Sequence, residues 1–228
     1  KIYCDDLIKS VELFVEKIHK PIILSGHSMG AASAIQVAAI RPDLVSGLVL
    51  LDPVLMTNKI KLIFKIARKY PLFKNLPIIK QGMMMSESTK KRRRIWKDKD
   101  EIFNSYKKKL IFKTWTETTI KNYIDGGTEI KGDGISLTCD PLWEAATFSS
   151  WKHDAMGLIN KLNCPITLIQ AESNSTARGN GPTKLMQQDK YGVHRIIKGS
   201  SHFLPMEFPQ IINREISNLQ KRIDNEKQ

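Results

Sequence analysis

The chain has 228 residues, of which 41% are hydrophobic and 26% are charged, and its formal net charge is +13. This composition is typical of a globular protein, and the absence of any run of about 18 apolar residues argues against a membrane span. The three cysteines, Cys4, Cys139 and Cys164, are odd in number and lack metal-ligand spacing. We therefore expect reduced thiols in an intracellular protein.

The positive charge is densest in one short cluster. Its members are Lys90, Lys91, Arg92, Arg93 and Arg94. Such a cluster suits a nucleic acid or an anionic membrane surface, but acidic residues follow it at 98, 100 and 101, as in an ordinary solvated helical segment. Since no nucleic-acid-binding signature accompanies the charge, we expect no nucleic-acid partner. Weak contact with an anionic surface through this cluster stays open.

The first fifty residues predict an alternation of helices and strands. Apolar positions at helical spacing predict a helix over 5–19, and short apolar runs predict buried strands over 21–25 and 47–53. Small helix-forming residues predict a helix over 31–39 between the two strands. Such an alternation is typical of βαβ units.

Between residues 56 and 151 the pattern changes. Charged and aromatic residues alternate at helical spacing, breaks occur at glycines such as Gly132, and no buried strand run appears. We therefore predict a mostly helical insertion over 56–151, which divides an α/β core into residues 1–55 and 152–228.

Strand character returns in the last third of the chain. The runs at 165–170 and 193–197 predict two strands, with a helix over 184–190 between them and a final helix that begins at Met206. The whole pattern predicts a mostly parallel sheet covered by helices on both faces.

The segment Gly26-His27-Ser28-Met29-Gly30 lies between the first predicted strand and the following helix. A serine on such a sharp turn exposes its hydroxyl at the top of the sheet, and we expect a side chain at either glycine to crowd the turn. Ser28 is therefore the candidate nucleophile. The backbone N–H of Met29 is the candidate oxyanion donor.

A serine hydroxyl needs a neighbouring base, and histidine has a suitable pKa. Of the five histidines, His202 follows the last predicted strand, at the carboxyl edge of the sheet where Ser28 also emerges. His153, beside an acid near the end of the insertion, is the weaker alternative. We predict His202 as the base.

These motifs resemble those of the α/β-hydrolases, and they occur in that family's order of serine, acid and histidine. The segments that carry the resemblance are 26–30, 50–53 and 201–209. Within the family, the insertion resembles a fungal group that includes a yeast peroxisomal lipase and toxin-biosynthesis hydrolases. That part of the likeness rests on residues 91–96, 112–115 and 137–145. The resemblance implies an α/β-hydrolase fold with the insertion as a helical cap.

The acid that would orient the histidine is open between two residues. Many α/β-hydrolases carry it in the loop after the strand predicted at 165–170, where Asn174 occupies the usual aspartate position and Glu172 lies two residues earlier. Asp52 ends the strand predicted at 47–53, which is the other place where this fold carries its acid. We favour Asp52 and keep Glu172 as the alternative.

The family would place several strands, and the loop with the second oxyanion donor, before the first predicted helix. The early strands are absent from this chain, which begins without a methionine. The resemblance therefore implies either a piece of a longer protein, with little activity by itself, or a shortened relative.

Taken together, these features predict a serine hydrolase of the carboxylic-ester hydrolase class that cleaves an ester or thioester with an apolar acyl group. The alternatives are a non-catalytic binding or scaffold protein of the same fold and an acyl-transfer enzyme of secondary metabolism. The cap residues that we expect to line the substrate pocket are Met83, Met84, Met85 and Trp143. No metal or organic cofactor is implied, and the resemblance suggests a cytoplasmic or peroxisomal location.

Overall fold

The computed structural model describes residues 2–70, 77–150 and 154–226. The chain divides into two compact units, the first formed by residues 1–61 and 152–228 and the second by residues 62–151. The predicted insertion over 56–151 overlaps the second unit, and its role as a cap over the site stays a prediction. In the described residues, no helix is both long enough and apolar enough to cross a bilayer.

The elements are numbered in chain order. The helices are α1 (Ile2–Ile18), α2 (Met29–Ile40), α3 (Asn58–Lys69), α4 (Pro77–Lys90), α5 (Lys99–Lys107), α6 (Glu117–Gly127), α7 (Pro141–Ser150), α8 (Ala155–Leu158), α9 (Gly181–Met186), α10 (Leu204–Glu207) and α11 (Pro209–Asn225). The strands are β1 (Ile22–His27), β2 (Val45–Leu51), β3 (Ile95–Trp96), β4 (Thr128–Lys131), β5 (Gly134–Leu137), β6 (Ile166–Ala171) and β7 (Val193–Ile197).

The first unit contains a four-stranded parallel sheet in the order β1-β2-β6-β7, with β1 at one edge. Successive residues of a strand point to opposite faces, and β2 shows this directly. Leu48 and Leu50 pack in the core that contains α2, whereas Val49 and Leu51 pack in the core that contains α11. The predicted parallel sheet with helices on both faces is therefore confirmed.

Two C-terminal helices differ from their predicted bounds. The helix predicted over 184–190 corresponds to α9, which begins at Gly181 and ends at Met186. The final helix predicted from Met206 is divided into α10 and α11, with a break before Pro209. Proline fits the first turn of a helix because that N–H has no helical acceptor, so Pro209 begins α11 and separates it from α10. The apolar pattern alone does not contain this break.

The second unit contains strands that the sequence pattern did not predict. Three short strands form an antiparallel sheet in the order β3-β5-β4, and β4 and β5 are joined at a tight turn where Gly132 has φ 59°. These strands have two to four residues and are mostly exposed or half-buried, so they lack the apolar run of a core strand. The prediction of a mostly helical insertion with no buried strand run therefore contained no signal for these short strands.

Candidate active site

Ser28 occupies a strained turn between the last residue of β1 and the first residue of α2. Its φ of 55° and ψ of −115° are unusual for a residue with a side chain, and such a conformation costs about 1–3 kcal/mol. The Ser28 N–H donates to the Leu51 carbonyl at 2.9 Å, and the Ser28 carbonyl accepts from the N–H groups of Ala32 and Val54, both at 3.2 Å. These hydrogen bonds stabilise the turn and so keep the Ser28 backbone in this strained conformation.

The two glycines of this turn have different environments. A Cβ on Gly26 would lie 2.6 Å from the backbone nitrogen of Ala31 and 2.7 Å from the carbonyl oxygen of Gly30. A Cβ on Gly30 would have no atom within 4 Å. The predicted crowding is therefore confirmed at Gly26 and wrong at Gly30, because Gly30 has entered α2 and its Cβ position is open.

Substitution of Gly26 and Gly30 by alanine should have opposite effects on stability. Gly26→Ala must displace backbone atoms, and such overpacking costs about 1–3 kcal/mol. For a chain of this size each kcal/mol corresponds to roughly 2–4 °C in Tm. Gly30→Ala is the matched control and should leave Tm unchanged or raise it, because alanine favours helix. Thermal unfolding followed by circular dichroism measures the Tm of both variants. Equal losses in Tm would contradict the different Cβ environments of the two glycines.

The structure brings Ser28, His202 and Asp52 together at the carboxyl edge of the sheet. The Ser28 Oγ lies 3.0 Å from His202 Nε2, and His202 Nδ1 lies 2.6 Å from Asp52 Oδ2. Ser28 follows β1 and Asp52 follows β2, whose last residues pair in register, while His202 follows β7 in a loop. The three side chains form a continuous hydrogen-bonded series within one unit of the protein.

Asp52 is fully buried and its carboxylate accepts several hydrogen bonds. Oδ1 accepts from the Ala171 N–H at 3.0 Å and the Ser175 hydroxyl at 2.6 Å, and Oδ2 accepts from the Thr176 N–H at 2.8 Å as well as from His202. Burial by itself would raise the pKa of Asp52, but these donors outweigh it and lower the pKa below the ordinary 3.8. The side chain is therefore ionised at neutral pH.

Glu172, the alternative acid, has other contacts. Its Oε2 accepts from the Gly199 N–H at 2.8 Å, and its own N–H donates to the Ser200 hydroxyl. On the other side of the same loop, Glu207 accepts from both the N–H and the hydroxyl of Ser201, at 2.8 and 2.7 Å. The two glutamates thus hold the loop that carries the histidine, and neither role was predicted from the sequence.

His27, in the serine turn, contacts the backbone of His202. Its Nε2 lies 2.6 Å from the His202 carbonyl oxygen, and the two rings lie 4.7 Å apart. Burial lowers the pKa of His27, although its hydrogen bond to that carbonyl opposes the shift. His27 is therefore neutral at pH 7 and donates from Nε2. The sequence contained no signal for this contact, which joins residues 175 positions apart.

The backbone N–H of Met29 is the first of α2. The first N–H groups of a helix have no acceptor inside the helix, and they lie at its positive end. We expect an oxyanion formed next to Ser28 Oγ to accept a hydrogen bond from this N–H. The role of Met29 remains a prediction.

The expected pocket residues all lie in the second unit. Met83, Met84 and Met85 are on α4 and Trp143 is on α7, and all four side chains are exposed. A cavity of about 520 Å³ in that unit is lined by other residues, among them Tyr106, Tyr123 and Cys139. The pocket assignment stays a prediction, and the alternative base His153 lies outside the described residues.

The parallel sheet, the strained serine turn after β1 and the histidine loop after β7 are the architecture of an α/β-hydrolase. Over residues 1–143 the sequence matches the hydrolase family described as serine aminopeptidase, S33. The chain belongs to this family. None of the curated proteins compared with the chain matches it significantly.

Solved structures of the same fold are similar to the chain at low sequence identity. E-2-(acetamidomethylene)succinate hydrolase is 15% identical with a TM-score of 0.70, over 96% of this chain and 74% of its own. The peroxisomal α/β-hydrolase Lpx1 from Saccharomyces cerevisiae is 17% identical with a TM-score of 0.68, over 96% of this chain and 59% of its own. A thioesterase domain from the curacin biosynthetic pathway is 14% identical with a TM-score of 0.59, over 93% and 70%. At these identities the likeness shows the fold.

Proposed function

We propose that the protein is a serine hydrolase that cleaves a carboxylic ester or thioester with an apolar acyl group. The observation that supports this most strongly is the hydrogen-bonded series Ser28–His202–Asp52, whose distances are 3.0 and 2.6 Å. A nucleophile within reach of a base, and a base oriented by a third group, are what covalent acyl transfer requires.

The reaction proceeds in two halves. Ser28 Oγ attacks the carbonyl carbon while His202 Nε2 takes its proton, and the Met29 N–H stabilises the oxyanion. The intermediate collapses when the C–O or C–S bond breaks, and His202 returns the proton to the departing alcohol or thiol. Water then attacks the acyl-serine, again with His202 as the base, and releases the acid with Ser28 restored.

Asp52 acts through the histidine. Its carboxylate accepts from Nδ1, so Nε2 carries the lone pair that faces Ser28, and its charge stabilises the imidazolium formed during the reaction. Buried charges of this kind are expensive unless hydrogen-bonded. The donors from Ala171, Ser175 and Thr176 offset that cost and leave Oδ2 directed at His202.

The choice of ester and thioester rests on resemblance. The insertion resembles that of the fungal lipase and toxin-biosynthesis group, and Lpx1 and the curacin thioesterase domain share the fold. The same resemblance supports a cytoplasmic or peroxisomal location. The family description names an aminopeptidase, whose substrates are amides, so an amino-acid amide belongs beside the esters in the substrate panel.

The non-catalytic alternative rests on Asn174, which occupies the family's usual aspartate position, and on the early strands that the family would place before α1. In the structure Asp52 contacts the histidine, so an asparagine at 174 leaves the hydrogen-bonded series intact. The acyl-transfer alternative uses the same acyl-serine with an acceptor other than water. It is distinguished by adding alcohols or amines and measuring whether an acyl product replaces the free acid.

A fluorophosphonate probe on the full-length protein tests the proposal. We expect covalent labelling of one site, loss of labelling in Ser28→Ala, and a phosphonylated peptide that contains residue 28 by mass spectrometry. The probe needs an activated serine, so denatured protein serves as the control for nonspecific reaction. Absence of labelling, or labelling that persists in Ser28→Ala, would contradict the proposal.

A further inference from the structure

The basic cluster singled out in the sequence is largely neutralised within the second unit. Four of its five side chains form ion pairs with acidic residues. The pairs are Lys90–Glu87, Arg92–Glu144, Arg93–Glu101 and Arg94–Asp140. Since each carboxylate offsets one cation, this segment presents little net charge to an anionic partner.

A second basic segment differs in both charge and exposure. We call residues 107–113 the lysine turn; its sequence is Lys-Lys-Lys-Leu-Ile-Phe-Lys. Lys107 pairs with Glu117, but among the described residues no carboxylate lies within ion-pair distance of Lys108, Lys109 or Lys113. The lysine turn therefore retains the positive charge that the first cluster loses.

The lysine turn also exposes its apolar residues. Leu110 is 87% exposed and Ile111 is 47% exposed, and both lie in a single turn of 3₁₀ helix over Leu110–Phe112. A turn that serves only to connect two helices is usually polar, with Gly, Pro, Asn, Asp or Ser. Two exposed aliphatic side chains between Lys109, whose ammonium lies over the Tyr106 ring, and Lys113, which has no carboxylate partner among the described residues, need another explanation.

Packing of Phe112 and backbone hydrogen bonds hold the lysine turn in place. The Phe112 ring stacks on Tyr106 at 4.7 Å and packs edge-on against Trp115 at 4.9 Å. The N–H groups of Phe112 and Lys113 donate to the carbonyls of Lys109 and Leu110, both at 3.1 Å. Phe112 anchors the turn, which leaves Leu110 outside the aromatic cluster.

We propose that the lysine turn docks on an anionic lipid surface. Leu110 and Ile111 enter the boundary between headgroups and acyl chains, while Lys108 and Lys113 contact the lipid phosphates. Apolar burial combined with attraction to anionic lipid is what holds peripheral proteins at a bilayer. Single-stranded nucleic acid fits less well, because it needs exposed aromatic rings for base stacking, and the rings here pack on one another.

Co-sedimentation with vesicles tests this proposal independently of the proposed hydrolase activity. The vesicles contain one part phosphatidylserine to two parts phosphatidylcholine, and pure phosphatidylcholine is the comparison. We expect binding to the mixed vesicles that weakens in about 1 M salt, where the Debye length is roughly 3 Å. Lys108→Glu/Lys113→Glu should weaken binding at least about tenfold, since each basic residue contributes about fivefold at such a surface. Leu110→Ser/Ile111→Ser should also weaken it about tenfold.

Two matched controls remove the same chemistry from other exposed positions. Ile130→Ser changes a residue that is 83% exposed on β4, and Lys9→Glu/Lys161→Glu gives the same net charge as the lysine-turn variant. Both controls should bind like the unmodified protein. Equal losses of vesicle binding in a lysine-turn variant and in its control would overturn the proposal. Absence of binding to both kinds of vesicle would also overturn it. Tight binding to RNA that is insensitive to Leu110→Ser/Ile111→Ser would instead favour a nucleic-acid partner and also overturn it.

Discussion

Replacement of His202 by alanine should lower kcat by about 10⁶-fold, and adding Ser28→Ala to it should cost almost nothing more. The reason is the shared task of the two groups. The Ser28 hydroxyl is a weak nucleophile unless Nε2, 3.0 Å away, takes its proton. Once the base is absent, the hydroxyl contributes little, so its removal has no further effect. The measurement is the turnover of a short-chain ester and a thioester by the single and double variants.

His194→Ala is the control for loss of a histidine near the sheet. His194 lies on β7, where its Nε2 is 2.8 Å from the side-chain oxygen of Gln170, away from Ser28 and Asp52. This variant should keep kcat close to that of the unmodified protein. Losses in the Ser28 and His202 variants that multiply in the double variant would show two independent groups and contradict a shared mechanism.

Replacement of Asp52 by asparagine should lower kcat by about 10⁴-fold, the cost of losing the correct histidine tautomer. An amide at this position must turn its NH₂ group toward some of the donors that now face the carboxylate. Those donors are His202, Ala171, Ser175 and Thr176. Both catalysis and stability should therefore fall. The matched control, Glu172→Gln, keeps an oxygen that accepts from Gly199 and should leave kcat within a few-fold.

The stability loss in Asp52→Asn should depend on pH in a defined direction. The pKa of Asp52 is lowered in the folded protein, so its contribution is fully present above the unfolded value of 3.8 and is lost as the pH falls through the folded value. The difference in Tm between the two proteins should stay constant from neutral pH down to about 4 and narrow only below that. Equal kcat losses in Asp52→Asn and Glu172→Gln, or a Tm difference that vanishes near neutral pH, would contradict this assignment.

The two central strands of the core sheet, β2 and β6, were predictable because nearly all their residues are buried, on both faces. In Val45–Leu51 the last five residues are apolar or glycine and all are buried, and the structure places a strand at each predicted run. The strands of the second unit were not predictable in this way. They are exposed pairs whose stability comes from their neighbours, as in the pairing of Ile130 with Ile135 across β4 and β5.

The serine turn was predictable because it is local. A tight strand-to-helix turn needs a residue without a side chain at Gly26, and the serine, its strand and its helix are contiguous in the chain. The lysine turn shows the converse. Its composition is visible in the sequence, but the exposure of Leu110 and the anchoring of Phe112 depend on Tyr106 and Trp115.

By itself the sequence determined the nucleophile candidate, the base candidate and the strands that carry them, since each depends on residues close together in the chain. It left the acid open, because Asp52 and Glu172 both follow buried strands. The tertiary structure decided which carboxylate meets His202. Pairing of β2 with β6 places the donors of Ala171, Ser175 and Thr176 around Asp52, and these hold an ionised carboxylate in a buried site 2.6 Å from a histidine 150 residues away.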